Sequence, residues 1–254
     1  MIIATFNVNS VRTRLPILQQ WLNDVKPDLL FMQETKTQDQ FFPDAAFNEL
    51  GYTCFYHGEK SYNGVAALVK NGMNVNVTFG FSDGEFDTRV LTLRYENLVI
   101  LNTYVPQGKD ITHPDFIVKK KFFARVREII EREEDNLFLW LGDLNVAPEA
   151  IDVNHPENKK DNVCFCDEIR SVFADTRKGL VDLLRKFNKS PDVYTFYDYR
   201  VKDAITKKLG WRIDHMLASE KFAALAVKCY PDIRPRTWER PSDHLPLIGE
   251  FTLP

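Results

Sequence analysis

The sequence predicts an α/β fold in which mixed β-sheets pair up with helices outside them. Three observations predict it. Apolar runs of strand length, rich in β-branched and aromatic residues, recur from one end of the chain to the other. Between them lie a few segments with helical periodicity. Several runs follow each other across short turns, as at Glu96-Asn97, so helices and strands do not alternate strictly as in a parallel doubly wound sheet.

In chain order, strands are expected at about 2–6, 28–32, 53–57, 64–70, 75–79, 90–95, 98–104, 137–141, 212–218 and 246–251. Helices are expected at about 14–24, 115–133 and 168–178, with a weaker pattern at 201–208. The second helix has the clearest basis. Phe116, Val118, Phe122, Phe123, Val126, Ile129 and Ile130 fall on one face, and Pro114-Asp115 suits its start. No Ser/Gly linker, low-complexity tract, fixed-period repeat or change of composition divides the chain, so residues 1–254 read as a single domain.

With 44% hydrophobic and 27% charged residues, the composition belongs to a globular protein and excludes disordered and fibrous classes. A net charge of -3 argues against binding polyanions by bulk attraction, though local patches and bound cations outweigh the total. Lys119, Lys120, Lys121, Arg125 and Arg127 form one basic cluster, read as a solvated helix face, and Arg200, Lys202, Lys207, Lys208 and Arg212 form another. Cys54, Cys164, Cys166 and Cys229 lack both a disulfide framework and zinc or redox spacing; reduced thiols in a cytoplasmic protein are expected. The opening Met1-Ile2-Ile3-Ala4-Thr5-Phe6 reads as a first strand rather than a leader, and no apolar stretch approaches the ~20 residues of a membrane span.

The strand borders carry the chemistry. "WLGDLNVAP" runs apolar to Leu141 and then places Asp143 and Asn145 two apart, on one side of an extended chain. Five other borders look alike: Asn7-Val8-Asn9 after Phe6, Gln33-Glu34 after Met32, Tyr104 after Asn102-Thr103, Asp214 after Ile213, and Asp243-His244 before Leu245. Each alone is explained by the turn-forming habit of Asn and Asp. Taken together they deliver several carboxylates, amides, a phenol and an imidazole to one place, if the sheets bring these ends together. Converging carboxylates need a cation or a histidine to stay ionised, and hard oxygen ligands suit Mg²⁺ or Mn²⁺. A divalent-metal hydrolytic site acting on phosphoesters follows. Ser242, Asp243 and His244 are sequence neighbours and cannot form a serine-hydrolase relay, and no glycine-rich nucleotide fingerprint follows a strand.

At these residues the chain resembles the exonuclease III and apurinic/apyrimidinic (AP) endonuclease family. The likeness runs through "TFNVNS", "LFMQETK", "YNGVA", "NTYVPQG", "LGDLNVAP", "VYTFYDYR", "LGWRIDHMLAS" and "PSDHLP". The resemblance implies a four-layer α/β/β/α sandwich, two mixed β-sheets flanked by helices, with the active site at one end of the sheets. It implies Glu34 as principal Mg²⁺ ligand with Asn7 beside it and Asp243 as a second metal-side carboxylate. It implies Asp143 as the group that orients or deprotonates water, and Asn145 as its support. Tyr104 would donate to the phosphate or leaving group, and His244, held protonated by Asp214, would face the scissile phosphate. Asn9 stands where eukaryotic relatives carry Asp, and an amide binds Mg²⁺ less well. Gln107-Gly108-Lys109 is more like the bacterial exonuclease III branch.

Phe196, Trp211 and Ile213 match family positions lining a small apolar pocket for a deoxyribose without its base; plain core is the competing reading. Arg200 and Lys109 match positions that reach into kinked DNA, with solvated surface charges as the alternative. The resemblance thus implies a Mg²⁺-dependent DNA-repair nuclease, with Mn²⁺ as substitute, cutting 5′ to abasic sites in double-stranded DNA. It also implies 3′→5′ exonuclease action and repair of blocked 3′ ends, in a cytoplasmic monomer acting on nucleoid DNA. A phosphoinositide phosphatase or other phosphodiesterase sharing the metal core, and an inactive DNA-binding homologue, are the alternatives.

Overall fold

The computed structural model describes residues 1–252. The first sheet is made by β1 (Ile2–Asn7), β2 (Leu29–Gln33), β3 (Tyr52–His57), β4 (Val65–Lys70), β11 (Ala226–Pro231) and β12 (Leu247–Phe251). The second is made by β5 (Asn76–Phe79), β6 (Val90–Tyr95), β7 (Leu98–Tyr104), β8 (Leu137–Asp143), β9 (Leu180–Asp182) and β10 (Asp214–Ser219). Their strand orders are β11-β12-β1-β2-β4-β3 and β5-β6-β7-β8-β10-β9. The helices are α1 (Val11–Val25), α2 (Asp44–Asn48), α3 (Pro114–Arg132), α4 (Asp167–Thr176), α5 (Leu183–Phe187) and α6 (Glu220–Ala223).

Side-chain alternation along the strands explains the layers. Ile3, Leu29 and Phe31 point inward and meet Leu93, Ile100, Leu139 and Met216 of the other sheet. Their neighbours Ala4, Phe6, Leu30 and Met32 point outward, against Leu18, Trp21 and Leu22 of α1. On the second sheet, Leu101, Trp140 and Leu217 point outward against Phe122 and Phe123 of α3 and Phe173 of α4. Strands buried on both faces read as continuous apolar runs, which is why the central ones were visible in the sequence. Trp140 is fully buried, with its indole N–H donating to Thr103 Oγ1 at 2.9 Å. Truncating it to alanine would cost about 3–5 kcal/mol.

Strand direction positions the site. β1 pairs parallel with β2, and β7 parallel with β8, so in each pair the C-terminal ends lie together. β12 runs antiparallel to β1 and β10 antiparallel to β8, so their starts arrive at those same ends. Gly142 lets β8 reach that edge unbroken. Its φ is +128°, and a Cβ there would stand 2.1 Å from the Thr103 carbonyl oxygen of β7.

Three sequence readings are corrected. Residues 201–208 form turns rather than a helix, with Asp203 and Lys208 at left-handed φ of 59° and 54°. Strands β9 and β11 gave no sequence signal. The first has three residues, and the second lies at a sheet edge with Val227 exposed and Pro231 at its end. Lys119, grouped with the solvated face of α3, points inward and is fully buried.

Candidate active site

A chain of hydrogen bonds crosses from one sheet to the other at the shared edge. Asn7, the last residue of β1, donates through Nδ2 to Glu34 Oε1 at 2.8 Å and to Asp143 Oδ2 at 2.9 Å. Asp143 ends β8 and faces Asp214 at the start of β10 in the strand register. Asp214 holds His244 by Nδ1 at 2.9 Å, and His244 Nε2 lies 3.8 Å from Asp143 Oδ2. Ser242 steadies the returning chain, donating from Oγ to the Asn7 carbonyl at 2.7 Å and accepting from the His244 N–H at 3.2 Å. Thr195 Oγ1 accepts from the N–H groups of Ile213 and Asp214 and fixes the start of β10.

The backbone is strained where these groups sit. Asn9, Glu34 and Asn145 all adopt left-handed φ, at 43°, 51° and 50°. A non-glycine residue held there costs on the order of 1–3 kcal/mol and persists only where its surroundings fix it. They do so here. The Glu34 carbonyl accepts from the Ser10 N–H at 2.7 Å. Asn145 donates its N–H to Asp143 Oδ1 at 3.0 Å and its Nδ2 to the Val105 carbonyl at 3.0 Å.

The electrostatics follow from burial and neighbours. Burial alone would discharge His244, but Asp214 and Asp143 outweigh it and lift the imidazole above its ordinary value, leaving it cationic. Burial pushes Asp143 upward, and Asp214 and Glu34 add to that against the pull of His244 and Asn7. Glu34 is brought below the usual carboxylate range, since Asn7 and Lys36 overcome its burial; Lys36 Nζ stands 2.7 Å from Glu34 Oε2. Tyr104 is raised well above its ordinary value, chiefly by burial and then by Glu34 and Asp143, so its phenol is neutral and able to donate. Arg89 lies 4.6 Å over its ring. His215, one residue beyond Asp214, is pushed down to about 3 by burial and by Arg212. It is a satisfied core histidine, 2.8 Å from the Val146 carbonyl oxygen.

The sequence pattern of the endonuclease/exonuclease/phosphatase family matches residues 4–244. The chain belongs to that family. It is 34% identical over 264 residues to exodeoxyribonuclease III of Haemophilus influenzae, covering 97% of this chain and 98% of that one. Its structure superposes on an AP endonuclease from Archaeoglobus fulgidus with a TM-score of 0.95 at 41% identity, each chain covered in full. It superposes with a TM-score of 0.92 at 34% identity, again in full, on a 3′ phosphatase from Neisseria bound to product DNA hairpin. The two mixed sheets with flanking helices are the fold of that AP endonuclease, and the chain is a hydrolytic nuclease related to exodeoxyribonuclease III and AP endonucleases.

A cleft of about 500 Å³ opens over this family's strand ends. Of the residues singled out from sequence, Asn9, Glu34, Tyr104, Asp143, Asn145, Phe196, Arg200, Trp211, Ile213, Asp243 and His244 line it. Asn7 and Asp214 are buried behind it, Asn7 bonded to Glu34 and Asp143 and Asp214 to His244. Lys109 stands apart, in an adjoining basin with Arg89 and Asn63, paired with Asp115 at 2.9 Å. Arg200 is exposed and paired with Asp198 at 2.6 Å. Lys36, Gln107, Lys159, Asn162, Cys164 and Asp198 also line the cleft, though the sequence assigned none of them to the site. Lys36, Gln107 and Asp198 were within reach, inside "QETK", "YVPQG" and "FYDYR"; the others lie in loops with no periodic signal.

The donor set fits a hard divalent cation. Carboxylate oxygens of Glu34 and Asp143 lie within 4.8 Å of one another, and the His244 ring nitrogen in the same group is a protonated donor rather than a ligand. The buried carboxylates of Asp143 and Asp214 share one imidazolium, and Asp143 is displaced upward first by its burial and then by Asp214 and Glu34. Asn7 presents its amide nitrogen to Glu34 and Asp143, while its oxygen accepts from the Asn9 N–H at 3.1 Å. Asn9 is engaged at both ends, accepting from Lys36 Nζ at 2.7 Å and donating to Asp243 Oδ1 at 3.0 Å. It stands as a bridge between two charged groups.

Proposed function

We propose that this chain is a Mg²⁺-dependent DNA-repair nuclease that cuts double-stranded DNA 5′ to abasic sites, removes 3′-terminal nucleotides and clears blocked 3′ ends. Residues 1–254 would act as one monomeric unit in the cytoplasm. The observation that carries the reading is the unbroken line Glu34–Asn7–Asp143–His244–Asp214, which joins both sheets at the floor of the cleft. The A. fulgidus AP endonuclease and the Neisseria 3′ phosphatase bound to DNA support the substrate class.

Glu34, with Asn7 or Asp243, would hold Mg²⁺ or, in substitution, Mn²⁺, which supplies charge neutralisation at the phosphate. Asp143 would orient the attacking water and take its proton, with Asn145 fixing the carboxylate through its N–H and holding the phosphate through its side-chain amide. His244, charged and held by Asp214, and neutral Tyr104 would donate to the phosphate oxygens, where charge gathers during in-line displacement. Phe196, Trp211 and Ile213 would receive the abasic sugar, which is extruded more cheaply than an intact nucleotide because it has lost its stacking. Arg200 at the cleft and Lys109 in the adjoining basin, both exposed, would meet the flanking backbone.

The test is cleavage of an end-labelled duplex carrying one tetrahydrofuran abasic analogue, with Mg²⁺ and with EDTA. A single product cut 5′ to the analogue, formed only with Mg²⁺, is expected. Cleavage that persists in EDTA, or hydrolysis of a phosphoinositide in preference to this duplex, would overturn the reading.

A further inference from the structure

Lys119 lies in the second turn of α3 and shows no surface to solvent. Burying an ammonium is costly unless its donors are satisfied. Its three hydrogen bonds all go to main-chain carbonyls: Gln107 at 3.0 Å, Asn145 at 2.8 Å and Val163 at 2.7 Å. Three donors meet three acceptors, which leaves the ammonium fully committed.

Each of those carbonyls belongs to a different loop, and each loop furnishes a wall of the cleft. Gln107 and Asn145 line it themselves, and Val163 is flanked by the lining residues Asn162 and Cys164. The Cys164 thiol stands 3.9 Å from Asn145 Oδ1, so the third loop bears on the same amide. Asn145 sits at φ 50°, a left-handed conformation that asparagine tolerates and that its hydrogen bonds to Asp143 and Val105 hold. Its carbonyl is the one part of its backbone tied to α3.

We propose that Lys119 is a positioning residue for Asn145: its ammonium clamps the Gln107, Asn145 and Val163 loops in register, so that the Asn145 amide is presented to the scissile phosphate. A lysine serving only the core would contribute to stability alone. One acting through Asn145 contributes to turnover, and its contribution vanishes once that amide is gone. The proposal rests on the nuclease reading above, and its test has an arm that needs no substrate.

Steady-state incision of the tetrahydrofuran duplex is measured for wild type, K119M, N145A and the double variant, with the folding of each followed by circular dichroism. K119M is expected to lower kcat roughly 10- to 100-fold with KM nearly unchanged, the scale of an ångström's misplacement. In the N145A background the same change is expected to alter kcat less than about threefold, since its effect runs through the missing amide. K119Q, which keeps two donors, recovers part of the loss and replaces K119M should the latter not fold. In NMR spectra without DNA, the Asn145 side-chain amide is expected to shift and broaden in K119Q. A folded K119M or K119Q with wild-type kcat, losses that multiply in full in the double variant, or an unmoved Asn145 amide would each overturn the proposal. Wild type that fails to cut the duplex counts against the nuclease reading, and the NMR arm still decides the role of Lys119.

Discussion

Asp214 and Asp143 stand opposite each other on adjacent antiparallel strands, and His244 spans the pair at 2.9 Å and 3.8 Å. Two buried carboxylates one strand apart repel strongly without a cation between them. The imidazolium meets that need and is itself kept charged by them. Neither acid has a purely structural explanation, since a hydrophobic pair would pack in their place at less cost.

Asp214→Asn retains the hydrogen bond to His244 and removes the charge that keeps the ring protonated. Turnover on abasic duplex is expected to fall by about 10²–10³, the usual loss for one oriented donor to a developing oxyanion. His244→Ala is expected to fall by a similar factor, and the double variant by little more, because the two act as a unit. Independent, multiplying losses would show that Asp214 does not act through His244.

Glu34→Gln keeps the shape of the site and removes a carboxylate that Asn7 and Lys36 hold below its usual range against its burial. Wild type is expected to show a saturable rise in melting temperature with added Mg²⁺, since a ligand bound only by the folded state stabilises it. The variant is expected to lose that rise and at least ~10² in activity. EDTA should abolish wild-type cleavage, and Mg²⁺ or Mn²⁺ should restore it. An unchanged Mg²⁺ titration in Glu34→Gln would remove this residue from the metal's ligands.

Much of this architecture was legible in the sequence because its strands are buried on both faces. Leu29 to Met32 and Leu137 to Leu141 had to be apolar throughout, and Asn7, Glu34, Tyr104, Asp143 and Asp214 then stood out where each run stopped. What escaped depends on tertiary placement alone. β11 is a half-covered edge strand with no continuous pattern, and 201–208 has helix-forming residues whose chain is turned by left-handed Asp203 and Lys208. Lys119 shares its composition with its exposed neighbours. Only the loops beneath α3 show that it points inward.

A Trp211 variant tests whether recognition of a missing base can be separated from chemistry. The Trp211 backbone pairs with Val153 and Phe196, and Lys159 Nζ lies 5.5 Å over its indole, so the ring is held as a wall of the cleft. Phe196 is a poorer probe, because its ring packs edge-on against His244 at 5.0 Å. Trp211→Ala is expected to lower kcat/KM for abasic duplex about tenfold while removal of an ordinary 3′ nucleotide changes less, the scale expected for loss of apolar complementarity. An equal loss in both reactions would mean that Trp211 supports the site without selecting its substrate.

Asp152 offers a test of the scaffold behind that wall. It is fully buried and holds Arg212 Nε at 2.7 Å and Nη2 at 2.9 Å, while Arg185 reaches it from α5. Arg212 also bonds Asp182 at 2.8 Å, and its own backbone links Trp211 to Ile213. Burial opposes the charge on Asp152, but the guanidiniums outweigh it and hold the carboxyl below its usual range. A depressed folded pKa gives stability that is complete above the unfolded value, about pH 4, and is lost as pH falls through the folded value. Asp152→Asn leaves buried arginine charge short of its partner and is expected to cost about 3–5 kcal/mol at neutral pH. That corresponds to a melting temperature lower by roughly 10 °C in a chain of this size. The gap between variant and wild type should narrow as pH falls below about 4, where Asp152 of the unfolded wild-type chain takes up a proton while the folded carboxylate is still ionised. Calorimetric scans from pH 7 to pH 3 check this, and a gap that stays constant across that range would show that the carboxylate's charge contributes nothing to holding Arg212.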